Sequence, residues 1–160
     1  MEKWVDFYAT IFPSRCDAET FVKSLEALLP EDHRHPAKIM MHQTQRLLSL
    51  SDDIPRIRPG KQSLQLLFLI ICAEYIAKMH DNFKGEGKSK YYIHRFFDQF
   101  VDEADHRILA NSFSRHDDTL MELHEVVDIL YSVRCDVVHE GQYWDFNFCN
   151  GTPVFNTYIQ

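Results

Sequence analysis

The chain has 160 residues, a formal net charge of −7 and 45% hydrophobic residues. This composition is typical of a globular protein long enough to bury a core, and it excludes disordered and fibrous classes. The negative charge also argues against extensive nonspecific coating of nucleic acid. We therefore expect one globular domain over residues 1–160.

Targeting signals and cysteine spacing bear on the compartment. The N-terminal sequence MEKWVDFYATIF carries charges within its apolar run and lacks a cleavage site of the signal-peptide type. The longest apolar run, residues 66–73, is much shorter than the roughly 20 residues needed to span a bilayer. The four cysteines form no CxxC pair, which favours a reducing compartment. We expect a cytoplasmic protein without membrane contact.

Breaker and capping residues divide the chain into helical segments. The pattern predicts helices over residues 17–29, 36–50, 62–83, 89–100, 103–111 and 119–140. Residues 51–60 are predicted to be a loop, and Ser89 is predicted to cap the helix that follows it. The tail, residues 143–160, has Asn150-Gly151 between two extended-looking runs and is predicted to be a β-hairpin. The expected fold class is all-α, an antiparallel bundle of about five helices with a short C-terminal β-hairpin.

The last long helix carries an arginine on its apolar side. At 100° per residue, one stripe contains Leu123, Val126, Val127, Leu130, Val133 and Val137. Arg134 falls inside this stripe. His139, five residues later, lies about 140° around the helix from Arg134. Two side chains that meet along one regular helix are three or four positions apart, so this spacing of five does not by itself bring them together.

An arginine on a core-facing stripe needs an acceptor, because burying an unpaired charge is costly. The helix predicted over 62–83 is apolar nearly all round until Glu74 interrupts it. We therefore expect Glu74 to face Arg134 across the bundle, with Asp81 as the second candidate. His139 lies where the helix predicted over residues 119–140 ends, next to Glu140. There the helix dipole favours an imidazolium, which can transfer a proton, bind phosphate or simply cap the helix.

Charge is unevenly distributed along the chain. Residues 98–128 hold nine acids and two arginines, whereas residues 84–96 hold four basic residues and one acid. The basic residues, which could contact RNA or form a solvated face, are Lys84, Lys88, Lys90 and Arg95. Tyr91 or Tyr92 beside them could stack on a base, although aromatic residues at helical spacing are more often core.

Metal chemistry has only partial support. Glu103 and His106 form one ExxH element, but a di-iron bundle needs a second such element and two further glutamates. No P-loop, GxSxG, GxGxxG or HExxH pattern is present. We therefore expect no metal site and no cofactor, with a metal-binding bundle as the weakest alternative.

The stretch R-C-D-V-V-H at 134–139, followed by Glu-Gly, resembles the RX4–6H motif of HEPN domains (higher eukaryotes and prokaryotes nucleotide-binding). Its context is similar too. IICAEYIAKMH precedes a glycine-containing loop and the aromatic helix GKSKYYIHRFFDQF, and the motif helix comes last. The resemblance covers roughly residues 35–142.

The resemblance implies a metal-independent endoribonuclease of a toxin–antitoxin or antiviral system, acting as a homodimer with two motifs in one cleft. Arg134 and His139 would be the catalytic pair, His139 transferring protons and Arg134 holding the scissile phosphate. Glu74, Asp136 and Glu140 would be supporting residues. Partners would be RNA, a second copy of the chain and a cognate antitoxin or other protein.

Two positions depart from the family pattern. Cys135 follows the arginine, where the family usually has a polar residue. Gly141 stands where one variant, which pairs with a nucleotidyltransferase, has a tyrosine. Non-catalytic HEPN modules also exist. The alternative prediction is therefore a module that binds nucleotide, RNA or a protein partner without cleaving anything.

Overall fold

The computed structural model describes residues 1–28, 35–59, 61–113, 119–140, 146–149 and 152–155, with side chains up to His139. Its described part is mostly helical, which confirms the predicted all-α character. The α-helices in these residues are α1 (Glu2–Tyr8), α2 (Arg15–Ala27), α3 (Pro36–Ile57), α4 (Gln62–His80), α5 (Ser89–Phe100), α6 (Glu103–Asn111) and α7 (Leu123–Cys135). A π-helix, Asp136–Glu140, continues α7 directly.

Two short strands follow the helices. β1 (Phe146–Cys149) and β2 (Thr152–Phe155) pair antiparallel, with Phe146 opposite Phe155 and Cys149 opposite Thr152. The predicted Asn150-Gly151 turn lies outside the described residues. Packing of this tail on the helices stays a prediction.

The chain divides into two compact units, Met1–Arg46 and Leu47–Gln160, and the division falls within α3. The first unit has its own small core of Val5, Tyr8, Ala18, Val22 and Met41. The Tyr8 hydroxyl donates to the Met41 carbonyl at 2.9 Å, so the polar end of this buried ring is satisfied. The helix α1 was not predicted from the sequence.

The second unit contains the motif helix, and its core lies mainly between α4, α5 and α7. The core residues are Leu66, Ile70, Ile93, Phe113, Val126, Val127, Leu130, Val133 and Val137. Five of the six residues in the predicted α7 stripe are therefore core residues, and Leu123 packs against them half-buried. The sequence periodicity predicts this face of α7 correctly.

The prediction of a loop over residues 51–60 is wrong, because α3 continues to Ile57 with Pro55 inside it. A proline removes one helical hydrogen bond, but here it lies only two residues before the helix ends. The Arg58 amide still donates to the Ile54 carbonyl at 2.8 Å. Ser51, fully buried on the same helix, donates to the Gln65 carbonyl of α4 at 3.1 Å and links the two helices.

The helix α4 ends earlier than predicted, at His80. Asn82 just beyond it has a φ of 55°, a left-handed conformation that asparagine tolerates better than most residues. Within the described residues, α4 is the one helix long and apolar enough to cross a membrane. This is weak support for a membrane span, because the core helix of a soluble protein passes the same test.

Candidate functional site

Glu74 and Arg134 meet across the second unit, as the sequence predicts. Oε2 of Glu74 on α4 lies 3.6 Å from Nη2 of Arg134 on α7. Both side chains are largely shielded from water, with exposures of 9% for Glu74 and 18% for Arg134. Asp81, the second candidate partner, pairs with Arg95 instead. The arginine on the apolar stripe of α7 is therefore neutralised by the lone acid of α4.

The other carboxylate oxygen of Glu74 binds two further groups. Oε1 accepts hydrogen bonds from Nζ of Lys78 at 2.5 Å and from the Ser89 hydroxyl at 2.7 Å. Lys78 lies one turn along α4, and its ammonium sits about 6 Å from the rings of Phe83 and Tyr92. Ser89 was predicted to cap α5, but it is the first helical residue and Lys88 occupies the cap position. A buried carboxylate needs donors, which explains why this hydroxyl turns to Glu74.

The Glu74 cluster, which consists of Glu74, Lys78, Ser89 and Arg134, carries more positive than negative charge. Among the described residues, Glu74 is the only carboxylate within 4 Å of Lys78 or Arg134, so two cations share one anion. The Arg134 Nε–H is buried and has no hydrogen-bond partner in this part of the chain. An incompletely paired guanidinium in a shielded position is suited to bind an anion such as a phosphate.

Tyr131, on the same helix, borders the Arg134 guanidinium. The Arg134 Cζ atom lies 5.9 Å from the centre of the Tyr131 ring, a cation–π distance. A hydrogen bond with Cys135 is the main reason that the pKa of Tyr131 is raised, and burial adds to this effect. The phenol is therefore neutral at physiological pH and acts here as a packing and hydrogen-bonding group.

The helix changes form inside the motif. The π-helix begins at Asp136, two residues after Arg134, and includes His139. A π-helix has more residues per turn than an α-helix, so each residue advances by a smaller angle. The angular gap between Arg134 and His139 is therefore smaller than the 140° of a regular helix. Such π segments are frequent at functional sites.

His139 is exposed, and its neighbour Val138 is 48% exposed although apolar. No hydrogen bond or ion pair joins His139 to Arg134 within the described residues. Asp136 is half-buried at the start of the π-helix, where its amide bonds to the carbonyls of Ser132 and Val133. The Glu140 side chain lies outside the described residues.

The four basic residues of the predicted RNA-binding segment have different surroundings. Lys90 pairs with Asp128 at 2.9 Å, and Arg95 pairs with Asp81 and donates to Gln99. Lys84 and Lys88 are exposed and form no ion pair in the described part of the chain. Of the two tyrosines considered for base stacking, Tyr92 is buried, whereas Tyr91 is 56% exposed. Lys84, Lys88 and Tyr91 thus remain accessible.

Two crossed histidine–aspartate pairs, which were not predicted from the sequence, join α5 and α7. His94 of α5 contacts Asp128 of α7 at 2.6 Å, while His124 of α7 contacts Asp98 of α5 at 3.0 Å. The two imidazole rings lie 5.1 Å apart. The signal was present, since each helix carries a histidine four positions before an aspartate.

Asp128 is the shared acceptor of Lys90 and His94. Burial alone would raise the pKa of its carboxyl group, but the hydrogen bonds and charges of Lys90 and His94 lower it below the ordinary value. The carboxylate is therefore charged at neutral pH and binds both residues of α5 together.

The ExxH element does not form a metal-ligand cluster. His106 Nε2 contacts the Phe97 carbonyl at 2.5 Å, and Glu103 is exposed. Among the described residues, no three His, Cys, Asp or Glu side chains are arranged to hold a metal ion.

Comparisons of the chain with protein-family models, curated protein sequences and solved structures find no match. Its function must therefore be inferred from the residues of the site.

Proposed function

We propose that this chain is a HEPN-type endoribonuclease that works without a metal ion or cofactor. In this proposal Arg134 and His139 are the catalytic pair. The observation that carries it is the Glu74 cluster, in which two cations share one buried carboxylate and the Arg134 guanidinium keeps an unpaired N–H. The exposed His139 follows five positions later, on a π-helix.

Arg134 would bind the scissile phosphate. Its planar guanidinium matches phosphate oxygens, and Glu74 and Tyr131 already hold it in place before substrate arrives. A preorganised cation in a shielded position stabilises the extra charge of a pentacoordinate transition state more than it stabilises the ground state. Lys78 adds positive potential at the same carboxylate.

His139 would transfer the protons. A neutral imidazole takes the proton of the RNA 2′-hydroxyl while the 2′ oxygen forms its bond to phosphorus. The bond from phosphorus to the 5′ oxygen breaks, and an imidazolium returns a proton to that leaving oxygen. The products are a 2′,3′-cyclic phosphate and a 5′-hydroxyl. Asp136 and Glu140, the neighbours of His139 in the π-helix, would be supporting residues.

The proposed assembly is a cytoplasmic homodimer that acts as a toxin or antiviral-defence component. Arg134 and His139 make no mutual contact among the described residues of one chain, so we pair the arginine of one subunit with the histidine of the other. The helical bundle and its C-terminal hairpin would provide the dimer scaffold. RNA would contact Lys84 and Lys88, and a cognate antitoxin or other protein would control access to the cleft.

The decisive experiment is RNA cleavage in EDTA by the wild type and by His139→Ala, with tRNA among the substrates. We expect cleavage by the wild type and a loss of at least about 100-fold in the variant, since general acid–base groups contribute this much. His124→Ala removes another exposed histidine of the α7 region and should change the rate less than about twofold. A wild type that cleaves no RNA tested would contradict the proposal.

The second candidate is a non-catalytic HEPN-like module that binds nucleotide, RNA or a protein partner. One observation favours it. The Arg134 side chain is largely buried against Glu74, which is also what a structural ion pair requires. Retention of RNA by the wild type and by His139→Ala alike, without cleavage by either, would support this alternative.

A further inference from the structure

The start of α5 is not fixed by its own capping residues. Lys88 at the cap position makes no side-chain hydrogen bond to the helix, and its φ of 57° is a left-handed conformation that lysine rarely adopts. Gly87 before it also has a positive φ, of 85°. Contacts with neighbouring helices must therefore hold this end of α5 in place.

Ile93 anchors α5 in the core, and polar contacts to the start of the helix come from two carboxylates. Ser89 donates to Glu74 of α4 at 2.7 Å. Lys90 and His94, four positions apart on one face of α5, both bind Asp128 of α7, at 2.9 and 2.6 Å. Adjacent residues of α5 are thus attached to Glu74 on one side and to Asp128 on the other.

The same contacts determine how Glu74 meets Arg134. Ser89 and Lys78 occupy Oε1 of Glu74, which leaves Oε2 directed at the Arg134 guanidinium. If the start of α5 shifts, Oε1 of Glu74 loses the Ser89 donor and keeps only Lys78 among the described residues, so the carboxylate is held less firmly against Arg134. Asp128 and Arg134 both belong to α7, so Asp128 ties α5 to the helix that carries the arginine.

We propose that Asp128, acting through Lys90 and Ser89, is a positioning residue for the Arg134 guanidinium. Asp128 itself touches no substrate. Lys90, which was predicted from the sequence to bind RNA, then acts by connecting α5 to Asp128. The effect on cleavage rests on the proposed function, whereas the effect on the geometry of Arg134 does not.

The chain offers a matched control. Asp98 is also an exposed aspartate that pairs with a histidine between α5 and α7, at 3.0 Å from His124. Lys90 does not bind Asp98, and no contact links Asp98 to Ser89 in the described residues. Both Asp128→Ala and Asp98→Ala therefore remove an exposed histidine–aspartate pair. Of the two aspartates, only Asp128 is connected to Glu74 within the described part of the chain, through Lys90 and Ser89.

Two measurements test the proposal in full-length protein. The first is the NMR signal of the Arg134 Nε–H, assigned with Arg134→Lys. We expect Asp128→Ala to shift it and speed its exchange with water, and Asp98→Ala to leave it unchanged. The second is RNA cleavage, in which Asp128→Ala should lower kcat about tenfold with little change in KM, because the phosphate is held in a displaced geometry. Asp128→Asn, which keeps an acceptor for Lys90, should restore most of the loss.

The outcomes separate the positioning role of Asp128 from the proposed function. An unchanged Arg134 signal in Asp128→Ala, or an equal change in Asp98→Ala, would overturn the positioning role. If Asp128→Ala does not fold, the same two readouts in Lys90→Gln, which breaks the link from the other side, decide it. If the wild type cleaves no RNA while Asp128→Ala still shows the expected Arg134 shift, the proposed function is contradicted and the positioning role is kept.

Discussion

At the scale of single residues, the candidate site is organised around one carboxylate. Glu74 is largely buried and accepts from Lys78 and Ser89 while it faces Arg134. Removing one member of a buried ion pair is costly because the remaining charge stays shielded from water. Two cations depend on Glu74, so its neutralisation should destabilise the fold and also release the arginine.

We expect Glu74→Gln to lower the free energy of unfolding by about 3 kcal/mol, as measured by urea denaturation. The amide keeps the size of the side chain and can still accept from Ser89, so the loss reports the charge. Glu86→Gln, at an exposed loop position, should change the free energy by less than about 0.5 kcal/mol. Equal stability of the two variants would show that the Glu74 charge is not needed for folding.

At the scale of elements, the sequence predicts the faces of helices better than their ends. The apolar stripe of α7 and the opposition of Glu74 to Arg134 follow from helical periodicity and from the cost of an unpaired buried charge. The prediction that Ser89 caps α5 was wrong. Its hydroxyl donates to the buried Glu74 carboxylate, whose need for a donor outweighs the local capping preference of serine. The loop prediction over residues 51–60 failed for a different reason, since Pro55 lies near the end of α3, where a proline is tolerated.

The π-helix could not be predicted from the sequence. Its residues, Asp136–Glu140, contain no proline or glycine and have ordinary helical patterning. A change from α to π geometry depends on how neighbouring elements pack, and spacing within a single sequence does not reveal it. The motif helix reaches Glu140 as predicted, but α7 begins at Leu123 rather than near Thr119, and the last five residues are π-helical. The change matters because it alters the direction in which His139 points relative to Arg134.

Deleting Val138 tests whether the π geometry matters. Removing one exposed residue should let the segment return to an α-helix while Val137 stays in the core. We expect a folded protein whose RNA cleavage falls to the level of His139→Ala, because the imidazole now projects elsewhere. Val138→Ala keeps the chain length and should retain cleavage. Full activity of the deletion variant would show that the π-helix has no part in the reaction.

At the scale of the whole molecule, individual ion pairs determine which basic residues stay accessible, and the net charge does not. The chain carries −7 overall, yet Asp128 and Asp81 neutralise two of the four basic residues in the predicted RNA-binding segment. These pairings join residues 38 and 14 positions apart, so the sequence alone could not assign them. Lys84 and Lys88 stay accessible, and in sequence they lie shortly before Ser89 of the Glu74 cluster. In the proposed function, these two lysines would contact the RNA.

The central claim is that Arg134 of one subunit works with His139 of the other, and mixing two inactive variants tests it most directly. Arg134→Ala and His139→Ala are each expected to lack cleavage in EDTA. A mixed dimer of the two retains one intact composite site, so co-refolded subunits should recover about one quarter of the wild-type rate. A mixture as inactive as either variant alone, alongside a wild type that cleaves RNA, would contradict the account.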